Sequence, residues 1–296
     1  MPGPGPGPGG LGPGPSLAGP HRAEGHEPGS ARGRVGQGRC RDTSRAGIIG
    51  CVRLHRVQVV RRLPHPERGF TQGLIAADGT VWESTGLSGQ STLRRYQLGA
   101  ERAEALVALP DDHFGEGICR VGDAIWQLTW KERVALRWDA ATLSLCERIS
   151  YNREGWGMCV AGDDVVTSNG TSELVRRDPA TLAPRAIAHV RCEGSRVRWL
   201  NDLAWAGGLV WANVAGTASL AGIDLGTGEV TDIVDARAAA ERHWADPQAI
   251  MNGIAALDAP GEFLLTGKGW RSIRHVRLVP DRDRGHRRRL LAGSAG

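Results

Sequence analysis

From residue 65 to 279 the chain is a succession of short apolar runs broken by Gly, Asp and Asn. The runs alternate with period two and sustain no period of 3.6. Five segments share one order: FTQGLIAADGTVWEST, FGEGICRVGDAIWQLTW, EGWGMCVAGDDVVTSNG, LNDLAWAGGLVWANV and NGIAALDAPGEFLLTGK. Each opens on a polar or aromatic residue, usually followed by Gly, and runs into an apolar strand. A Gly/Asp turn and a second strand follow, ending in small polar residues. Downstream come a third strand and often an Asp-x-x-Thr type of turn, as in WDAATLSL, RDPATLAP and IDLGTGEV.

Aligning Gly73, Gly117, Gly157, Asp202 and Gly253 gives spacings of 44, 40, 45 and 51 residues. A period near 45 that holds several short strands is the mark of a β-propeller, so the pattern predicts an all-β, five-bladed one. A helix bundle is excluded by the missing helical period. A parallel α/β fold is excluded because turns and further strands fill the intervals where long helices would be needed. In a propeller the first strand of each blade lines a central channel. Gln72, Glu116, Trp156, Asn201 and Asn252, each just before an aligned position, are therefore expected to meet at one mouth.

Composition changes the picture only at the ends. The Pro/Gly alternation of MPGPGPGPGGLGPGP and the Gly/Arg-rich stretch after it cannot bury enough apolar surface to offset chain entropy. Residues 1–62 are expected to be a disordered tail, 281–296 a second, basic one, and 63–280 the folded domain. Ten basic against three acidic residues in 1–62, and five against two in 281–296, leave 63–280 at −5 although the whole chain is at +5. A mildly acidic body argues against nucleic acid as partner. No apolar run is long enough to span a membrane. No basic start, apolar centre and small-residue cleavage site occur in the order of a signal peptide.

The six cysteines show no metal-ligand spacing; Cys119 and Cys159, in GEGIC and GWGMC, are expected as buried free thiols. Of 37 basic residues only Lys131 and Lys268 are lysines, in QLTWKE and LTGKGW. Two readings fit: a compact ammonium is needed there that a planar guanidinium cannot imitate, or drift has left two lysines. Trp82, Trp138 and Trp211 are expected to be packing residues.

Nine ordered stretches carry a further signal: FTQGL, ESTGLSGQSTLR, FGEG, QLTWK, EGWG, LND, ANV, NGIA and TGKGW. Together they resemble the plant- and bacterial-type glutaminyl-peptide cyclotransferases over nearly all of 65–279. The resemblance implies a five-bladed propeller that converts the N-terminal glutamine of peptides to pyroglutamate and releases ammonia, with no metal or cofactor. It implies Glu116 as the catalytic acid and base, and Lys268 and Asn201 as the groups facing the oxyanion. Phe70, Gln72, Trp130 and Trp156 would hold the substrate. It further implies an exported protein, secreted or periplasmic, against the cytoplasmic location that the missing leader favours. A propeller closes its own ring of sheets, so a monomer is expected.

The residue types suit that chemistry. The α-amine attacks its own γ-carboxamide, so a base must take a proton from nitrogen and an acid must return one to departing ammonia. One desolvated carboxyl group serves both steps. Donors must wait for the oxyanion, and a walled pocket must hold the side chain folded. Three departures from the family pattern predict weakened activity: LNDLA where LNELE is usual, Ala215 where a tryptophan commonly follows ANV, and SNG at 168–170 in place of SDG. Two other readings stand beside the cyclase: a silent propeller that binds peptide N-termini or a partner, and a metal-dependent propeller lactonase.

Overall fold

The computed structural model describes residues 52–241 and 250–281, in which the period-two alternation becomes twenty-two strands. The first is β1 (Arg53–Pro64). Three antiparallel four-stranded sheets follow in chain order. They are β2 (Thr71–Ala77), β3 (Thr80–Thr85), β4 (Thr92–Gln97) and β5 (Ala105–Ala108); β6 (Gly115–Val121), β7 (Ala124–Thr129), β8 (Val134–Asp139) and β9 (Leu145–Ser150); and β10 (Met158–Ala161), β11 (Asp164–Thr167), β12 (Glu173–Arg177) and β13 (Pro184–His189). A two-stranded hairpin, β14 (Arg191–Cys192) with β15 (Ser195–Arg196), precedes a fourth run: β16 (Leu200–Ala206), β17 (Leu209–Val214), β18 (Ser219–Ile223) and β19 (Val230–Asp235). The last run is β20 (Met251–Ala256), β21 (Glu262–Gly267) and β22 (Ser272–Pro280).

β1 completes this last run from the other end of the chain. It pairs antiparallel with β22 from His55–Pro280 to Pro64–Ser272, and parallel with β19, joining two four-stranded halves into one eight-stranded sheet. The strand begins inside the segment whose composition reads as tail. Its apolar residues explain why it folds: Val57 packs into one core layer and Leu63, beyond a register shift between Val59 and Arg61, into another, while the arginines stay exposed. The tail reading therefore does not hold for 52–62; residues 1–51 and 282–296 lie outside the described residues.

The turns anticipated from Asp-x-x-Thr join third to fourth strands. Asp139 Oδ1 accepts the amides of Ala141 and Thr142 at 3.0 and 2.7 Å, and Asp178 Oδ1 accepts those of Ala180 and Thr181 at 2.9 Å. Asp224 does the same for Gly226 and Thr227, the Asx geometry that reverses a chain cheaply.

Apolar side chains pack between consecutive sheets. Trp82 and Leu93 meet Ile125 and Trp138; Trp126 and Leu128 meet Met158 and Val165; Val166 and Leu174 meet Leu203 and Val210. Trp211 and Leu220 meet Ile254 and Phe263, and Leu74 and Tyr96 meet Leu264 and Ile273 on the last run. The sequence of interfaces thus returns to its start. Trp82, Trp138 and Trp211 are buried in these layers, as expected of packing residues. Cys119 and Cys159 are buried free thiols.

Candidate active site

The first strands of the five runs touch in order, β2 on β6, β6 on β10, β10 on β16, β16 on β20 and β20 on β2. Glycine permits the approach. A Cβ on Gly73 would stand 2.9 Å from Gly117 Cα, one on Gly117 2.6 Å from Gly157 Cα, and one on Gly157 2.0 Å from the Asn201 carbonyl oxygen. Hydrogen bonds complete the circuit. Gly117 N–H donates to Trp156 O at 2.7 Å, Asp202 Oδ2 accepts from Ile254 N–H at 2.8 Å, and Asn252 Nδ2 donates to Gln72 Oε1 at 2.9 Å. Gln72, Glu116, Trp156, Asn201 and Asn252 therefore belong to neighbouring segments of one ring.

Glu116 is 5% exposed, and its carboxyl group forms no hydrogen bond among the described residues. Burial pushes its pKa well above the usual carboxylate range; the charge of Lys268 draws it down, while Glu132, Asp202 and Glu154 push it further up. Lys268 is the complementary case: burial lowers its ammonium pKa, and Glu116 raises it. The two groups titrate against each other across the ring.

Amides on the ring and on the strand beside it are short of partners. Asn201 Oδ1, Asn252 Oδ1 and both amide atoms of Asn213 are buried without a hydrogen-bond partner among the described residues. Native interiors rarely leave such atoms unpaired, and a ligand is one thing that pairs them. Among the described residues no three His, Cys, Asp or Glu side chains converge as a metal cluster would require.

Two aromatic walls flank the ring. In the first, Phe70 packs edge-on against Phe114 at 6.4 Å, and Phe114 tilts against Trp130 at 5.6 Å. Both of the chain's lysines cap this wall: Lys268 Nζ lies 4.8 Å from the Phe70 ring centre and Lys131 Nζ 4.1 Å from that of Trp130. In the second, Trp156 lies against Trp199 with centres 6.2 Å apart, and the Trp156 indole fills the space a side chain on Gly170 would need.

Behind the first wall a buried network fixes its backbone. Glu83 is wholly buried, and its carboxylate accepts from His65 Nε2 at 2.8 Å, Thr71 Oγ1 at 2.7 Å and Tyr96 OH at 3.1 Å. His65 Nδ1 donates to Trp270 O at 2.8 Å. Since both imidazole nitrogens face acceptors, the ring carries two protons. Burial alone would lower the His65 pKa, but Glu83 outweighs it and the net shift is upward; Glu83, which burial would raise, is held below its usual range chiefly by the His65 charge. The network joins Thr71, beside Phe70, to Trp270, two residues beyond Lys268. Phe70 and Lys268 themselves form a β-bridge, and Gly269 N–H donates to Gly69 O at 2.9 Å.

Residues 38–278 match the family model described as glutamine cyclotransferase. The chain belongs to that family. A glutaminyl-peptide cyclotransferase of Arabidopsis thaliana is 32% identical over 231 residues, covering 76% of this chain and 72% of the relative. The crystal structure of Myxococcus xanthus glutaminyl cyclase superposes with a TM-score of 0.73 at 31% identity, covering 78% of this chain and 99% of that one. The resemblance carried by the nine sequence stretches is thus the family relationship itself.

For this member of the glutamine cyclotransferases, the seven residues singled out from sequence occupy the ring and its walls. Glu116, Gln72 and Asn201 lie on the ring, Trp156 joins ring and second wall, and Phe70, Trp130 and Lys268 form the first wall. Phe114 and Trp199 also belong to the walls but did not stand out in the sequence. Both had a signal: Phe114 and Trp199 stand three residues before the aligned Gly117 and Asp202, as Phe70 stands before Gly73, each just ahead of a first strand.

Proposed function

We propose that this ring is the active site of a five-bladed propeller which closes the N-terminal glutamine of peptides to pyroglutamate and releases ammonia. Four-stranded runs, a returning series of interfaces and the circuit of first strands support the five-blade reading. The observation that carries the functional reading is Glu116: buried, without a hydrogen-bond partner among the described residues, raised in pKa and coupled to Lys268.

The glutamine side chain folds between the walls so that its α-amine approaches its γ-carbonyl carbon. As the N–C bond forms, Glu116 takes a proton from the attacking nitrogen, and Lys268 with the Asn201 amide faces the oxygen that gains charge. Glu116 then returns the proton to the carboxamide nitrogen, the C–N bond breaks and ammonia departs. A raised carboxyl pKa suits both transfers near neutrality. Gln72, tied to Asn252, and the rings of Phe70, Trp130 and Trp156 hold the amine and side chain and keep bulk water out. The ring of sheets leaves a monomer as the expected state.

Ammonia release from a Gln-initiated dipeptide, with and without chelator, tests the proposal. The cyclase reading predicts turnover that survives the chelator. Binding without turnover is the signature of a silent propeller, and turnover abolished by the chelator that of a metal-dependent enzyme.

A further inference from the structure

Trp199 is an unusual residue on which no part of the mechanism above depends. Its φ is +65°, a left-handed conformation that a bulky L-residue adopts only when its surroundings compel it. Two backbone bonds compel it here: Trp199 N–H donates to Gly170 O at 2.8 Å, and Ala215 N–H donates to Trp199 O at 2.8 Å. The left-handed Leu143 and Leu182 bury their side chains in the core; Trp199 leaves 38% of its surface exposed. Core packing therefore does not account for it. Its ring lies against half-buried Trp156, inclined by 35°, and its chain position is two residues before Asn201. Ala215, bonded to it through the backbone, presents only a methyl group, so no large side chain covers the indole from that residue.

We propose that Trp199 is a specificity residue: an outer platform beside Trp156 that receives the side chain of the second residue of the substrate peptide and favours aromatic or large apolar groups there. The assignment rests on the ring around Glu116 being the cyclase site. Trp156 lies deeper, against the ring that takes the glutamine, and Trp199 lies on its solvent side. A peptide with its first side chain in the ring must leave along the exposed wall, where a flat indole offers stacking without demanding one residue type. The chain thus adds selectivity beyond the first residue.

The test compares kcat and KM for Gln-Phe-amide and Gln-Ala-amide with wild type, Trp199→Gly and Trp199→Phe, with Leu145→Ala, an exposed apolar residue of an outer strand, as control. Wild type is expected to favour Gln-Phe-amide by about two- to tenfold in kcat/KM, the scale of one aromatic contact. The Gly variant should lose most of that preference through a higher KM for the aromatic peptide, the Phe variant should keep most of it, and the control should match wild type. An unchanged preference in the Gly variant, or an equal fall in kcat for both peptides, overturns the proposal. If wild type turns over neither peptide, it is the cyclase reading of the ring that fails.

Discussion

Replacing Glu83 by glutamine removes the anion from a buried cluster that holds two cationic side chains, His65 and Arg94, and three donors aimed at the carboxylate. Arg94 keeps other partners, since Nε donates to Thr92 Oγ1 and Nη1 to Pro66 O. Tyr96 can turn its hydroxyl to accept from the new amide. His65 still donates from one nitrogen to Trp270 O, and the other loses its counter-charge. Breaking a buried pair on one side costs about 3–5 kcal/mol, and because imidazole can shed its proton the lower end applies, about 3 kcal/mol. For a domain of about 200 residues that lowers Tm by about 6–12 °C. The pH dependence sharpens the test. A folded-state His65 pKa raised above the unfolded value stabilises fully below the unfolded value, and the contribution fades as pH rises through the folded one. Without Glu83 the shift reverses, because burial and Arg94 both disfavour the imidazolium. The gap between wild type and variant should therefore be widest in mild acid and narrow in alkali. Thermal melts across that range measure it. A shift of less than about 2 °C, or a gap that widens as pH rises, would refute the charged-pair assignment.

Gly157→Ala pushes a methyl group onto the Asn201 carbonyl oxygen, which Ser168 Oγ also holds at 2.8 Å. Backbone must move, so a loss of about 1–3 kcal/mol is expected in chemical denaturation, together with reduced turnover from the displaced Asn201. The kcat/KM profile should have an acid limb above the ordinary carboxylate range, set by Glu116. Because the Lys268 charge draws the Glu116 pKa down, Lys268→Met should move that limb to higher pH as well as slow the reaction; an unmoved limb would disconnect the two groups.

How much of this was legible in the sequence depends on what each element buries. First and second strands are buried on both sides, so their apolar runs and the glycines at their crossing points recur visibly, and with them the positions of Gln72, Glu116, Asn201 and Asn252. Fourth strands such as β9 and β13 are mostly exposed and carry little apolar pattern. β1 buries Val57 and Leu63, but a register shift between Val59 and Arg61 breaks its alternation, Arg53, Arg56, Arg61 and Arg62 give it the composition of the segment before it, and its antiparallel partner lies at the far end of the folded chain. The two lysines stood out by rarity. That both rest on rings of one wall is a tertiary fact, as is the link from Glu83 to His65.

The central claim is that one buried carboxyl group moves the proton in both halves of the reaction. Glu116→Gln keeps the shape of that side chain and removes its titration, so a Gln-dipeptide should bind it with an affinity close to that of wild type. Calorimetry on the variant, followed by mass analysis of the same incubation for pyroglutamate, is the most direct measurement. Retained binding with product formation reduced by a factor of at least about a hundred is the predicted result. Product formed at the wild-type rate by a well-folded Glu116→Gln protein would contradict the account.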